Sequence, residues 1–256
     1  MEVVIGPSAA VLAADAIEAL VRARPDAVLG LATGSSPLPT YQELIRRHDA
    51  GTGPPYERVR CFLLDEYVGL PVGHPETYRE TIFRELTDAL GIARDRVASP
   101  DPSDPEHAGA RYEAALHAAG GVDLQVLGIG GDGHLAFNEP GSSLASLTRI
   151  KTLTDRTRRD NARFFGSVDD VPHHVLTQGL ATILRARHLV LLASGAGKAA
   201  AVAAAVEGPV SASCPASVLQ LHPHVSVLLD DAAASGLARA HHYREVYAAK
   251  PDWQGL

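Results

Sequence analysis

An α/β fold, built on a mainly parallel sheet covered by helices, is what this sequence predicts, and three observations predict it. Short aliphatic and β-branched runs alternate with longer stretches of helical periodicity. At 256 residues the chain is long enough to bury a full core without staples. Four of the apolar runs end in polar, glycine-rich or acidic chemistry, namely ATGSS, LLDEY, GIGGDGH and ASGAGK. In open α/β sheets ligands bind beyond the carboxyl ends of the strands, so these four ends are expected to share one site.

The elements follow in order. EVVI opens the chain as a strand and precedes a helix from near Ser8 to Arg24. AVLGLA is the second strand; after its Gly-Ser-Ser loop a helix opens near Pro37 and runs through PTYQELIRRH, proline being tolerated in a first helical turn. RVRCFLL reads as a buried strand ending at Asp65 and Glu66, and DLQVLG as the next. HLVLLA leads into the Ala-rich helix KAAAVAAAVEG, and VSVLL is the last strand. This alternation calls for parallel strands with helical crossovers. The proline-rich ASPDPSDPEH reads as a surface connection, and without a repeat or long linker residues 1–256 read as a single domain.

Composition removes several classes. The net charge is −7 and no dense block of Lys and Arg is present, which argues against a polynucleotide partner. Two cysteines, Cys61 and Cys214, are too few for a disulfide framework. The N-terminus lacks a basic leader region and no apolar run approaches the roughly 20 residues of a membrane span, so a cytoplasmic protein without membrane contact is expected. Of 23 basic residues only Lys151, Lys198 and Lys250 are lysines, which gives each lysine a specific question to answer.

The stretch GIGGDGHLAFNEP, residues 128–140, contains the spacing G-x-G-x-x-G. A dinucleotide cradle needs a helix at its end, but Pro140 and the Gly-Ser-Ser that follows favour turns, and Asp132 would put a carboxylate where a pyrophosphate must sit. A catalytic loop fits better: Asp132, His134 and Glu139 are close enough to gather around one imidazole and make a proton shuttle. A plain turn whose histidine caps a carbonyl is the competing reading. The Gly-Ser-Ser loop, with Thr33, Gly34, Ser35 and Ser36 before a helix start, suits a phosphate monoester, although serine also caps helices for no other purpose. SGAGK lacks the first glycine and the hydroxyl of a phosphate-binding P-loop, which rejects an NTPase; Lys198 at that strand-to-helix turn still reads as an anion ligand. Asp65 and Glu66 point to opposite sides of an extended chain, so only one of them can enter the crevice as a base. The histidine pairs 173–174 and 241–242 diverge and lack a partner at zinc spacing, so a metal-free site is expected.

Over nearly the whole chain LATGSSPLPTY, LLDEYVGLPVGHPETYRETI, GIGGDGHLAFNEPGSSLASLTRIKTL, DNARFF, SGAGKAAAVAAAVEGPV and LQLHP resemble, in order and spacing, the glucosamine-6-phosphate deaminase family. The resemblance implies a single-domain, Rossmann-like three-layer sandwich with a mainly parallel sheet and a mobile lid near residues 149–178. It implies conversion of glucosamine 6-phosphate and water to fructose 6-phosphate and ammonium, with neither metal nor organic cofactor. By motif, Asp65 would move the proton between C2 and C1, His134 would open the ring, and Asp132 and Glu139 would tune and orient the imidazole. Arg163 and Lys198 would hold the phosphate with Thr33, Gly34, Ser35 and Ser36. Ser142, Arg149, Lys151 and Thr152 match a segment that binds the activator N-acetylglucosamine 6-phosphate in oligomeric members, so a homo-oligomer is implied. Two alternatives share the fold: a 6-phosphogluconolactonase-like hydrolase, whose related loop ends in a Ser-Leu-Phe-Pro type sequence where this chain has FNEP, and a non-catalytic sugar-phosphate sensor.

Overall fold

The computed structural model describes residues 1–251 and 253–256. The strands are β1 (Glu2–Ile5), β2 (Val28–Leu31), β3 (Arg60–Leu63), β4 (Asp65–Val68), β5 (Val97–Ala98), β6 (Leu124–Gly128), β7 (Arg149–Thr152), β8 (His174–Thr177), β9 (His188–Ala193) and β10 (Val225–Leu229). The helices are α1 (Ala9–Ala23), α2 (Leu38–Asp49), α3 (Tyr78–Ile82), α4 (Pro105–Ala118), α5 (Asp155–Asn161), α6 (Leu180–Ile183), α7 (Ala199–Val206) and α8 (Ala240–Ala248). Among the described residues no helix is long and apolar enough to cross a membrane.

Seven strands form one sheet in the order β1-β10-β9-β6-β2-β3-β5, and every pairing in it is parallel. Successive side chains alternate between its faces. Val225, Val227 and Leu229 of β10 join Leu189 and Leu191 of β9 on the face covered by α4 and α7. Leu29 and Leu31 of β2 join Val126, Val190 and Leu192 on the face covered by α1 and α2. Burial on both faces explains why these strands read as continuous apolar runs rather than alternating ones, and it makes the molecule a three-layer α/β sandwich. The chain runs outward from β2 through β3 to β5, then returns to β6 on the other side of β2. That reversal is the topological switch point, where a crevice opens at the carboxyl ends of β2 and β6.

Two readings of the sequence are corrected. The strand RVRCFLL does not run on into Asp65 and Glu66: the parallel sheet ends at Leu63, and β4 starts a second, three-stranded antiparallel sheet, β4-β8-β7. Its pairing of residues distant in the chain leaves no local signature. The connection ASPDPSDPEH also gives way earlier than expected, since α4 begins at Pro105, where a proline in the first turn has no bond to lose.

At the opposite, amino end of the strands Asp123 is buried. Its carboxylate accepts from Val28 N at 2.8 Å, Arg24 Nη1 at 2.6 Å and Arg187 Nη1 at 2.7 Å, tying the starts of β2, β6 and β9 together. Asp123→Ala leaves the Val28 N–H and two guanidinium groups without their acceptor and is expected to lower stability by about 2 kcal/mol, read as a lower urea midpoint with unchanged slope.

Candidate active site

Beyond the carboxyl ends of β2 and β6 lies a cavity of about 700 Å³. All four polar strand ends line it, through Thr33, Gly34, Ser35 and Ser36, Asp65, Gly128 to Asp132 with His134, and Lys198. Glu139 and Arg163 line it as well.

Asp65 owes its place to the change of sheet. Leu64 N still donates to Leu31 O in the parallel sheet, while Leu64 O accepts from Gln178 N at 2.7 Å at the end of β8, so the next residue faces the crevice. Burial, helped by the neighbouring Glu66 charge, raises the Asp65 carboxyl well above its usual value, which makes it a strong base once ionised. Glu66 points away, as alternation requires. Its carboxylate accepts from Tyr67 N at 2.8 Å, Tyr78 N at 3.0 Å and Arg79 N at 3.0 Å, anchoring the first turn of α3, which Thr77 caps. Burial still lifts its value against those three donors. Tyr78, thereby fixed, stacks on Tyr67 with centroids 4.7 Å apart and forms a wall of the cavity.

In the loop after β6, Gly130 is required by close approach: a Cβ there would sit 2.2 Å from the His134 ring. Gly133 turns with φ 85° while a Cβ on it would lie 2.6 Å from Cys214 Sγ, and its carbonyl accepts from Ala216 N at 2.8 Å. His134 Nδ1 lies 2.7 Å from Asp132 Oδ1, off the hydrogen-bond axis, and His134 N donates to the same oxygen at 3.2 Å. Burial works to raise the Asp132 carboxyl, but the imidazole and that N–H outweigh it and hold it below the usual range. Ala136, a cavity residue between this pair and Glu139, carries φ 50°, a left-handed conformation that a non-glycine side chain rarely adopts. Glu139 lines the same cavity, and its Oε1 accepts from the hydroxyls of Thr154, at 3.2 Å, and Thr157.

Lys198 closes a short 3-10 turn, Ala196–Lys198, held from behind by Asp230, whose carboxylate accepts from Gly195 N at 2.9 Å. Partial burial pulls its ammonium below the usual lysine value; Asp132 and Asp160 oppose this and the approaching Arg163 adds to it. Two cations facing one pocket suit a phosphate. Ser142 is buried in the turn after Glu139 with its hydroxyl unpaired, whereas Arg149, Lys151 and Thr152 lie along β7. Sequence reasoning passed over Tyr78, Thr154, Arg156, Thr157, Asp160 and Asn161, which also line the cavity. Tyr78, Asp160 and Asn161 stand inside the matched blocks, whereas Thr154, Arg156 and Thr157 fall in the gap between TRIKTL and DNARFF and carried no signal.

The family model described as glucosamine-6-phosphate isomerases/6-phosphogluconolactonase matches residues 4–228. A protein of Arthrobacter sp. (strain FB24) named glucosamine-6-phosphate deaminase is 64% identical over the full length of both chains, and one of Streptomyces coelicolor with the same name is 58% identical, again end to end. Among solved structures, one described as a monomeric glucosamine-6-phosphate deaminase superposes with a TM-score of 0.88 at 40% identity, covering 92% of this chain and all of the other. A 6-phosphogluconolactonase from Trypanosoma brucei superposes with a TM-score of 0.74 at 22% identity, covering 93% and 98%, a likeness of fold alone.

A carboxyl raised in the folded state binds its proton more tightly there than in the unfolded chain. Its contribution is therefore complete below the unfolded value of 3.8 and is lost as pH rises through the higher folded value. Asp65→Asn, with a neutral amide of the same shape, is expected to be more stable than the parent at pH 7, with a gap that shrinks as pH falls toward 3.8. Denaturant melts at a series of pH values check this; a gap independent of pH would contradict the buried, destabilised carboxylate.

Proposed function

The chain belongs to the glucosamine-6-phosphate isomerase/6-phosphogluconolactonase family, and on that premise we propose that it is a glucosamine-6-phosphate deaminase, releasing fructose 6-phosphate and ammonium from glucosamine 6-phosphate and water. The observation that carries the reading is the end-to-end likeness to relatives named as deaminases, at 58–64% identity, in a chain whose cavity joins a buried acid to a His–Asp pair. For the lactonase alternative speak only the joint description of the family and a likeness of fold at 22% identity.

In this reading Lys198, Arg163 and the Thr33 to Ser36 loop hold the 6-phosphate at one end of the cavity and thereby place the sugar. His134, kept in position by Asp132 and by the bare Cα of Gly130, takes the proton of the anomeric hydroxyl and returns one to the ring oxygen, which opens the pyranose. Asp65 then removes the C2 proton of the open-chain aldehyde, giving an enolamine, and delivers it to C1, leaving an imine at C2. Water adds to that carbon and ammonia leaves, so the ketone of fructose 6-phosphate forms without net oxidation. The raised Asp65 value favours this exchange, since a base whose conjugate acid is weaker takes a carbon-bound proton more readily. Residues 149–178 carry Arg163 over the phosphate end, and their closure on the bound sugar would exclude water from the enolamine.

The finer part of the reading is a homo-oligomer activated by N-acetylglucosamine 6-phosphate. It is supported by Arg149 and Lys151 on one face of edge strand β7, two residues apart, and by the exposed Leu147 and Ile150 beside them. Against it weigh the buried Ser142 and the 40%-identical relative described as monomeric.

Ammonium release from glucosamine 6-phosphate is the decisive assay, with 6-phosphogluconolactone hydrolysis as its counterpart. The parent is expected to perform the first and not the second, and Asp65→Asn to lose about 10²-fold or more in turnover along with solvent deuterium exchange at C1 of fructose 6-phosphate. Binding without turnover would restore the sensor alternative. For activation, sedimentation together with substrate curves is expected to show an oligomer whose sigmoidal curve becomes hyperbolic with N-acetylglucosamine 6-phosphate, an effect that Lys151→Ala removes; a monomer with a hyperbolic curve indifferent to that ligand would end this part of the reading.

A further inference from the structure

We propose that Thr157 is a positioning residue for this reaction: its hydroxyl ties the segment 149–178 to the Glu139 carboxylate, so that one short helix sets both that carboxylate and the phosphate cation Arg163. The role of Glu139 rests on the deaminase reading; the tie itself rests on geometry. Glu139 Oε1 accepts from Thr157 Oγ1 and from Thr154 Oγ1, the latter at 3.2 Å. The two hydroxyl oxygens are 2.9 Å apart, so with one proton each, one hydroxyl can donate to the other while the second donates to Glu139 Oε1. Thr154 Oγ1 also accepts from Thr157 N at 3.2 Å, which caps α5. The cap and the carboxylate contact are therefore built from the same two side chains.

The consequence is mechanical. From Thr157 the chain continues through α5 into the 3-10 turn Ala162–Phe164 that carries Arg163. Six residues at helical rise put Arg163 about 9 Å further along, at the phosphate end of the same cavity. An anion that draws Arg163 toward Lys198 must carry the whole short helix with it, and through Thr157 that movement reaches Glu139, five residues after His134. Hydroxyl bonds to a carboxylate are short and strong, which suits a tie that has to transmit position. The loop is stiff at its other end, because Asn138, next to Glu139, donates through Nδ2 to Leu135 O at 3.0 Å and to Gln178 O at 2.8 Å.

Thr157→Val tests this cleanly, since it keeps the shape of the side chain and the backbone N–H that Thr154 accepts, and deletes only the hydroxyl. The expected result is a kcat lower by about tenfold or more, as for loss of a hydrogen bond to a charged group, with KM changed by less than about threefold and Thr157→Ser restoring most of the turnover. Amide hydrogen exchange supplies a readout independent of turnover. Residues 155–161 are expected to exchange about tenfold faster in Thr157→Val and in Glu139→Ala, with no further gain when the two are combined, because both cut the same tie. A Thr157→Val enzyme within twofold of the parent kcat, a Thr157→Ser enzyme as slow as Thr157→Val, or additive exchange effects would each overturn the proposal. Should the parent release no ammonium, the deaminase reading falls by itself and the exchange experiment alone judges the tie, unchanged protection in Thr157→Val refuting it.

Discussion

The architecture of the cavity depends on one buried side chain, Gln178, and on what its amide and backbone hold together. Gln178 N donates to Leu64 O at 2.7 Å and its Nε2 donates to Leu63 O at 3.0 Å, at the point where the chain leaves the parallel sheet for the antiparallel one. Its own carbonyl accepts from Asn138 Nδ2 at 2.8 Å, in the loop that carries His134 and Glu139. Three pieces distant in sequence thus meet at a residue only 1% exposed: the Asp65 strand, the His134 loop and the end of the segment bearing Arg163. Buried backbone carbonyls need partners, and here a single glutamine supplies or satisfies several of them in a fixed geometry.

With that junction fixed, charge is distributed along the cavity in a consistent way. The buried acid Asp65 sits where water is scarce and carries a raised value, whereas Asp132, wetter and beside an imidazole, is held down. Arg163 stands near enough to Lys198 to help lower the lysine's hold on its proton, and two cations so placed suit an anion between them. The adjacent pair Asp65 and Glu66 illustrates how one strand serves two ends: one carboxyl enters the crevice, and the other turns back to grip the start of α3 and so steadies the aromatic wall of Tyr78.

Nearly all of this stands at the switch point between β2 and β6, where backbone N–H groups and loop side chains have no strand partner and are free to serve a ligand. The strain at Ala136 belongs to the same region. Its left-handed backbone lies within a tight turn in which Asn138 N returns to Leu135 O at 2.9 Å, so the loop that presents His134 doubles back before Glu139 rather than running on into a helix. Pro140 and the Gly-Ser-Ser after it continue in turns, so no helix N-terminus follows that could meet a pyrophosphate.

The sequence by itself determined the apolar runs of six of the seven parallel strands, all but the two-residue β5, together with the crevice end of the sheet and the residue types there, because burial on both faces and the glycine, serine and acid chemistry of strand ends are local properties legible in short windows. The motif blocks also carried Asp65, Asp132, His134, Glu139, Arg163 and Lys198 to one family before any geometry was known. Only the tertiary structure decided that Asp65 opens a strand of a second sheet, that Glu139 meets the hydroxyls of Thr154 and Thr157, and that Ser142 lies buried. Each of these depends on antiparallel pairing or side-chain contact between segments far apart in the chain, and neither periodicity nor spacing encodes which distant partner a strand or hydroxyl will find.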